Sequence, residues 1–347
     1  MKSVCFHDVG QVKLLTTPDP TITESGDAIL KTHVAGLCGS DLHVFHGRET
    51  GIDIGTVMGH ELVGEIVEVG SSVKKFKTGD VVFAPFSTNC GLCYFCKMAL
   101  PSRCVDGQLF GWQADGIGLQ GCQSEFVRVP LADATLMKKP DGLSDISALL
   151  LGDNFSTGYY CAEMAEIRPD GTYAIIGCGT VGLLCIIAAK AMGAKKIIAI
   201  DLVEHRRNHA ESLGAIGCKP ETAVAVTNEQ TSGRGVDAVM ELVGIPAAQR
   251  LAYEMVRPGG IMSVIGCHCT PNFAFSPVEA YDKNLTYRTG RCPARKYMDL
   301  LTERVAAGEF KIDSLVTHTF TARECIKAYD VFSNRKDDCL KAVFDFA

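Results

Sequence analysis

Long apolar runs are missing from this chain. The longest, near Val181–Met192, falls short of the ~18 residues that cross a bilayer, which excludes a membrane-spanning helix. Basic blocks are missing too. The 34 Lys and Arg residues stand against 40 Asp and Glu, a net charge of −6. That balance excludes nucleic acid or an anionic membrane surface as the main partner. No internal repeat and no low-complexity segment is present. The opening MKSVCFHDVGQVKLL has no apolar core, contains Asp8 and lacks arginine, so neither a secretory signal nor a transit peptide is expected in it.

What is there is an ordinary globular composition. At roughly 150 residues per domain, 347 residues suit two domains. Apolar residues make up 47% and charged residues 21%, enough to build cores. Glycine is abundant at 35 residues, which suits tight turns and close backbone approach. The sixteen cysteines stand out. In a long chain with no signal sequence they point to metal binding or reduced thiols, and to the cytoplasm. Cys5, Cys161, Cys185, Cys218, Cys325 and Cys339 are scattered through apolar or mixed sequence and read as small core hydrophobes.

The first 150 residues carry short strand-like runs, Ala28–Val34, Leu62–Val69 and Asp80–Ala84, bounded by Gly, Asp and Pro. Helical periodicity begins near Leu149–Tyr160. From Tyr173 strands and helices alternate: a strand to Ile176, a helix Val181–Met192, then strands Lys196–Asp201, Val236–Leu242, Ile261–Gly266 and Leu285–Thr289. This predicts an α/β fold with a doubly wound parallel sheet of Rossmann type. In the tail, Tyr297, Leu300, Leu301 and Val305 share one helical stripe. Thr321-x-x-Glu324 reads as a capping box before a second stripe of Cys325, Ile326 and Tyr329.

Gly177-Cys178-Gly179-Thr180-Val181-Gly182 follows a predicted strand and opens a predicted helix. The first glycine allows the turn, the second the approach of a pyrophosphate, the third close helix–strand packing. The helix N-terminus offers free N–H groups and partial positive charge to phosphates. Asp201 stands 19 residues beyond Gly182, where a carboxylate can bond both ribose hydroxyls of NAD and repel a 2′-phosphate. Arg206 nearby weighs toward NADP, because a guanidinium accommodates that phosphate.

Cys90-x2-Cys93-x2-Cys96-x7-Cys104 sets four thiols at a spacing that wraps one Zn²⁺ with no open position, a structural site. Lys97 and Arg103 partly offset its charge. A dispersed triplet is also of interest: Cys38 in GLCGSDLH, His60 in GHELVG and Asp153 in GDNFSTG. One thiolate, one imidazole and one carboxylate neutralise Zn²⁺ and leave the open position that a catalytic metal needs. Spacing alone does not single the triplet out, since a histidine beside a glutamate is more often a satisfied polar pair.

The segments CGSDLH, GHELVGEIVEVGSSV, the four-cysteine spacing, DNFSTGY and GCGTVG, in that order, resemble the zinc-dependent medium-chain alcohol dehydrogenase family over essentially the whole chain. The stretch from Gly121-Cys122-Gln123-Ser124-Glu125 through Asp153 further resembles its formaldehyde-dehydrogenase-like branch. The resemblance implies a GroES-like catalytic domain at 1–153 and 290–347 and an NAD-binding Rossmann domain at 154–289. It implies Cys38 and His60 as catalytic zinc ligands. Asp153 stands where the best-known members have a second cysteine. Glu61 matches a glutamate that ligates or approaches zinc, and Asp41 a carboxylate that holds the His60 ring. Ser40 and His43 match a proton relay, and Thr157 a residue packed on the nicotinamide. Arg206 matches a basic residue near the adenosine ribose, which removes the need for NADP. Lys341 matches a basic residue that reaches the pyrophosphate.

The expected enzyme holds one catalytic and one structural zinc and passes a hydride between an alcohol, or an aldehyde hydrate or adduct, and NAD. Two enzyme alternatives share the fold: an aldehyde dismutase and a specialised biosynthetic reductase. From a different class, a non-catalytic protein that binds zinc and NADH fits the same motifs. The substrate is not legible. Phe110 and Trp112 lie in a Gly-rich loop where pocket lining and ordinary packing are equally good readings. The length, close to that of shorter family members, suggests a homo-oligomer, a tetramer before a dimer.

Overall fold

The computed structural model describes residues 1–346 and contains two compact units: 1–156 with 293–346, and Thr157–Cys292. In the first, a seven-stranded sheet is built on the strand Ala28–Leu37. That strand pairs antiparallel with Leu62–Val69, Phe126–Val129 and Lys341–Asp345. Its length lets different stretches take different partners on one edge: residues 28–31 face Phe126–Val129, whereas 34–37 face Lys341–Asp345. The C-terminal strand is thereby sewn beside the residues just before Cys38. Val316–Thr321 extends the sheet in parallel beyond it. One core gathers Leu30, Leu62, Ile66, Val82 and Val127, and a second joins Leu37, Met58, Tyr329 and Phe344.

The second unit is a six-stranded, all-parallel sheet. Its order runs Ile216–Cys218, Lys196–Ile200, Thr172–Ile176, Val236–Glu241, Val256–Val264 and Thr286–Thr289. The order reverses between Thr172–Ile176 and Val236–Glu241, the switch point outside which α/β folds bind ligands. Thr172–Ile176 is buried throughout, as a central parallel strand must be.

Three expectations shift. The helical region near Leu149–Tyr160 is two helices, Asp145–Gly152 and Asn154–Met164, broken at Asp153 with φ −139° and ψ −72°. The strand expected from Ile261 begins at Val256 and runs through Pro258-Gly259-Gly260, a turn-like sequence absorbed as an irregularity in the pairing. The capping box at Thr321 is present, but it opens a short 3₁₀ turn that leads into the helix Cys325–Ser333. None of the sixteen cysteines is in a disulfide, and Cys5, Cys161, Cys185, Cys218, Cys325 and Cys339 are buried as expected. Among the described residues no helix is long and apolar enough to cross a membrane. Phe110 is buried in a core, and Trp112 opens a small hairpin and packs against the second core.

Candidate metal centres and dinucleotide loop

Four segments of the first unit converge. Cys38 follows the end of Ala28–Leu37, His60 and Glu61 precede Leu62–Val69, Asp153 sits at the helix break, and Lys341 begins the C-terminal strand. Donor atoms of Cys38, His60, Glu61 and Asp153 all lie within 4.8 Å of one another. The helix break makes this possible: a continuous helix would turn residue 153 into the regular ladder.

Asp41 braces the cluster from behind. Its Oδ1 lies 3.2 Å from His60 Nδ1, and its Oδ2 accepts the backbone N–H of Cys38 at 2.9 Å. Asp41 thereby fixes a proton on Nδ1, and Nε2 is the ring atom left facing the cluster, 3.5 Å from Asp153 Oδ2. Ser40 Oγ lies 3.2 Å from the same Nε2. Cys38 Sγ is 3.5 Å from Asp153 Oδ2.

The electrostatics show a site short of positive charge. Burial and then Asp153 push the Cys38 thiol up. Burial opposes a charged His60, yet Asp41, Asp153 and Cys38 outweigh it and hold the ring well above the usual histidine value. Burial raises the Glu61 carboxyl against the pull of Lys341. Glu61 Oε2 is buried and has no hydrogen-bond partner. A divalent cation would supply what these groups lack. One thiolate, one imidazole and carboxylate oxygens are a donor set that suits Zn²⁺. His43 is buried one turn beyond Ser40, and its backbone N–H donates to Ser40 O at 3.0 Å. Burial, then Arg48, lowers its pKa and favours the neutral, proton-accepting ring.

Cys90, Cys93, Cys96 and Cys104 also bring their Sγ atoms within 4.8 Å. Backbone N–H groups point at the sulfurs: Cys90 N to Cys104 Sγ at 3.2 Å, and Cys93 N to Cys90 Sγ at 3.3 Å. Hydrogen bonds from backbone N–H groups draw the Cys93 thiol down to about 6, whereas burial pushes Cys96 up to about 12.

In the second unit, Gly177 ends its strand at φ +94°, and a Cβ there would lie 2.7 Å from Val243 Cγ2. A Cβ on Gly182 would meet Gly177 O at 1.8 Å, so the helix Thr180–Ala191 can only pack this closely with glycine. Gly179 is the N-cap, and the space above it is open except for Arg206 Nη1, 3.7 Å from where its Cβ would stand. Val181 lies in the first turn. Asp201 Oδ2 accepts Cys178 N and Oδ1 accepts Val203 N, both at 2.8 Å, which sets the carboxylate beside the loop. Thr157 lies on the helix Asn154–Met164, half-buried.

A family model described as an alcohol dehydrogenase GroES-like domain matches residues 24–141, and one described as a zinc-binding dehydrogenase matches residues 180–306. Zinc-type alcohol dehydrogenase B of Aspergillus flavus is 38% identical, over 97% of this chain and 79% of its own length. The medium chain reductase/dehydrogenase ucsI of an Acremonium species is 40% identical over 81% of this chain and 98% of its own. The chain belongs to the zinc-dependent medium-chain alcohol dehydrogenase family. The alcohol dehydrogenase from Thermus sp. ATN1 agrees with this dehydrogenase at a TM-score of 0.92 and 36% identity, across 99% of both chains. As a member of its family, this dehydrogenase is a zinc-dependent alcohol oxidoreductase with a nicotinamide cofactor.

One expected site residue is displaced. Lys341 does not stand out to meet a pyrophosphate: it is 1% exposed, and its ammonium lies 2.5 Å from Glu61 Oε1. The strand pairing of Ala342 with Leu37 turns it into the interior, and a buried ammonium needs the carboxylate it finds there. Asn154 went unrecognised in the sequence although it directly follows Asp153. Its Nδ2 donates to Glu61 Oε1 at 2.8 Å and to Asp153 Oδ2 at 3.1 Å. Glu241 also escaped notice. Its fully buried carboxylate accepts Val243 N and Gly244 N, each at 2.8 Å, and lies 3.0 Å from His268 Nε2. Nothing in the spacing of residues 241 and 268 signals that pair.

Proposed function

We propose that this dehydrogenase interconverts a small alcohol, or an aldehyde hydrate or adduct, with its oxidised product, using NAD. The convergence of Cys38, His60, Glu61 and Asp153 within 4.8 Å carries the reading. Cys38, His60 and Asp153 hold the catalytic zinc, with Glu61 as the adjacent carboxylate. Cys90, Cys93, Cys96 and Cys104 hold the structural one. Bound zinc supplies Lewis-acid polarisation of the substrate oxygen, and the nicotinamide gives or takes the hydride. With Nε2 of His60 committed to the metal, the Ser40 hydroxyl is released to accept the substrate proton and pass it toward neutral His43. Gly177, Gly179, Val181 and Gly182 receive the pyrophosphate at the helix N-terminus, Asp201 and Arg206 the adenosine ribose, and Thr157 the nicotinamide.

The decisive assay is reduced-nicotinamide formation with NAD and NADP. The panel holds primary and secondary alcohols, and formaldehyde with and without glutathione. Turnover with NAD is the expected result. Silence across the panel, on protein shown to contain two zinc ions, overturns the reading in favour of a dismutase, a biosynthetic reductase or a binding role. Sixteen cysteines outside any disulfide support a reducing compartment, and light scattering on the zinc-loaded protein tests the homo-oligomer.

Two substitutions test the parts. Asp201→Asn keeps the shape but gives up the charge. A hydrogen bond to a charged group is worth ~1.5–3 kcal/mol, so the preference for NAD over NADP narrows about tenfold or more. An unchanged preference in the ratio of kcat/KM values removes Asp201 from the ribose. Asp41→Ala leaves His60 unbraced. A partner of this kind is worth ~10–100-fold in metal affinity, so one zinc per chain is released at correspondingly lower chelator concentration.

A further inference from the structure

A carboxylate with no part in the proposed chemistry is buried at the crest of the parallel sheet. Glu241 ends the strand Val236–Glu241, is paired with Ile176 on one side and Val264 on the other, and is 0% exposed. Those neighbours place it at the switch point, between the strand that runs into Gly177 and the strand Val256–Val264. A buried carboxylate is costly unless its oxygens are satisfied, and here both of them are. Oε1 accepts the backbone N–H groups of Val243 and Gly244, each at 2.8 Å, and Oε2 lies 3.0 Å from His268 Nε2. The main chain adds to this: Ile265 N and Gly266 N donate to Glu241 O at 2.9 and 3.0 Å.

One residue thus fastens two loops, 242–244 and 265–268, that leave neighbouring strands. The loops fit closely. A Cβ on Gly244 would lie 2.4 Å from Cys267 O, and one on Gly266 would lie 2.2 Å from Gly244 N and 2.8 Å from Glu241 Oε2. Loop 242–244 also abuts the glycine loop, because Val243 Cγ2 fills the space where Gly177 would carry a Cβ.

Its place in the sheet says what the clasp is for. A dinucleotide spans the switch point with one mononucleotide half over each side of the sheet. Asp201, next after Lys196–Ile200, draws the adenosine ribose to one side. The nicotinamide half then falls to the other, over the ends of Val236–Glu241 and Val256–Val264, where the two fastened loops stand. We infer that Glu241 and His268 are positioning residues that hold loops 242–244 and 265–268 in the shape that receives the nicotinamide half of the cofactor. This rests on the reading of residues 177–206 as an NAD site. Neither side chain needs to touch the ring. The carboxylate acts through the backbone it grips, and His268 secures the far end of loop 265–268. Loops set in advance leave less ordering for the cofactor to impose.

The test uses the full-length, zinc-loaded enzyme and calorimetric titration with two ligands. One is NADH. The other is ADP, which carries the adenosine and the pyrophosphate but no nicotinamide riboside. Wild-type protein that binds neither overturns the dinucleotide reading, and the inference with it. Given binding, His268→Leu is expected to weaken NADH about tenfold, the loss of one hydrogen bond to a charged group, and to leave ADP unchanged. His268→Gln, whose amide N–H reaches the same carboxylate, restores NADH affinity. A merely structural histidine predicts equal losses for the two ligands, or none, and either result overturns the inference. A His268→Gln protein as weak as His268→Leu removes the hydrogen bond as the cause, with the same consequence. Glu241→Gln decides the matter where His268→Leu fails to fold. It keeps the shape and exchanges an ionic acceptor for a neutral amide, so the ratio of NADH to ADP affinity is expected to fall. An unchanged ratio overturns the inference.

Discussion

His60→Ala is expected to release one of the two zinc ions and to lower turnover by roughly 10³-fold or more, the equivalent of the several kcal/mol that a Lewis acid contributes. The imidazole is no interchangeable donor. Asp41 fixes its Nδ1 proton and also grips the Cys38 backbone, so one carboxylate orients two members of the four-residue cluster. Without the ring, Cys38, Asp153 and Glu61 are left as three acids packed together, and the cation that would balance them has lost its neutral donor. The zinc content, measured by mass spectrometry of metals, falls from two equivalents to one. The other ion stays, because Cys90, Cys93, Cys96 and Cys104 form a separate cluster. Full turnover with two zinc ions would remove His60 from the metal site. Cys38→Ser probes the same site from the opposite side of the donor set. Its softer sulfur ligand is exchanged for a hydroxyl that does not ionise near neutral pH, so it loses metal with similar severity.

Cys96→Ala is expected to release the other zinc ion and to lower the melting temperature by about 10 °C, the shift that a loss of ~3–5 kcal/mol produces in a domain of about 200 residues. The reason is local. The helix Tyr94–Lys97 is four residues long and buries none of them. Leu92, Tyr94, Met98 and Val105 are exposed and Pro101 is buried, so little apolar burial supports the lobe. A single helical turn does not persist by its own hydrogen bonds. What organises residues 90–104 is the convergence of four sulfurs, and removal of one leaves thiolates that repel. Amide hydrogen exchange should show the loss of protection confined first to this lobe. Retention of both zinc ions, or protection unchanged across 90–104, would show that the lobe stands without the metal.

The two experiments are complementary. The first removes chemistry and leaves the fold largely intact, while the second removes a fold element that contributes no chemical step. Zinc content falls by the same amount in both, so turnover, melting temperature and amide exchange separate them.

Much of this protein was legible in its sequence. The four-cysteine spacing, the glycine loop between strand and helix, and Asp201 at the end of the next strand are local patterns. Each is fixed by a few covalently linked residues, and chain geometry alone brings them together. The dispersed centre is different. Residues 38, 60 and 153 meet because Ala28–Leu37 and Leu62–Val69 are paired and a helix breaks at Asp153, and no periodicity foretells that break. Only the resemblance pointed to this triplet in advance. Lys341 shows the limit most clearly. Read along the chain, it is a basic residue near the end, free to meet a phosphate. The antiparallel pairing of Ala342 with Leu37 turns it inward instead, where desolvation of its ammonium demands a buried carboxylate and Glu61 supplies it. Asn154 and the Glu241–His268 pair belong to the same class. Thus the chain by itself determined which chemistry is carried, through residue types at short spacing. The tertiary structure decided which of the charged groups converge on the Cys38, His60, Glu61 and Asp153 cluster and which pair with one another, because burial makes every unpaired charge costly and only the packed fold says what is buried beside what.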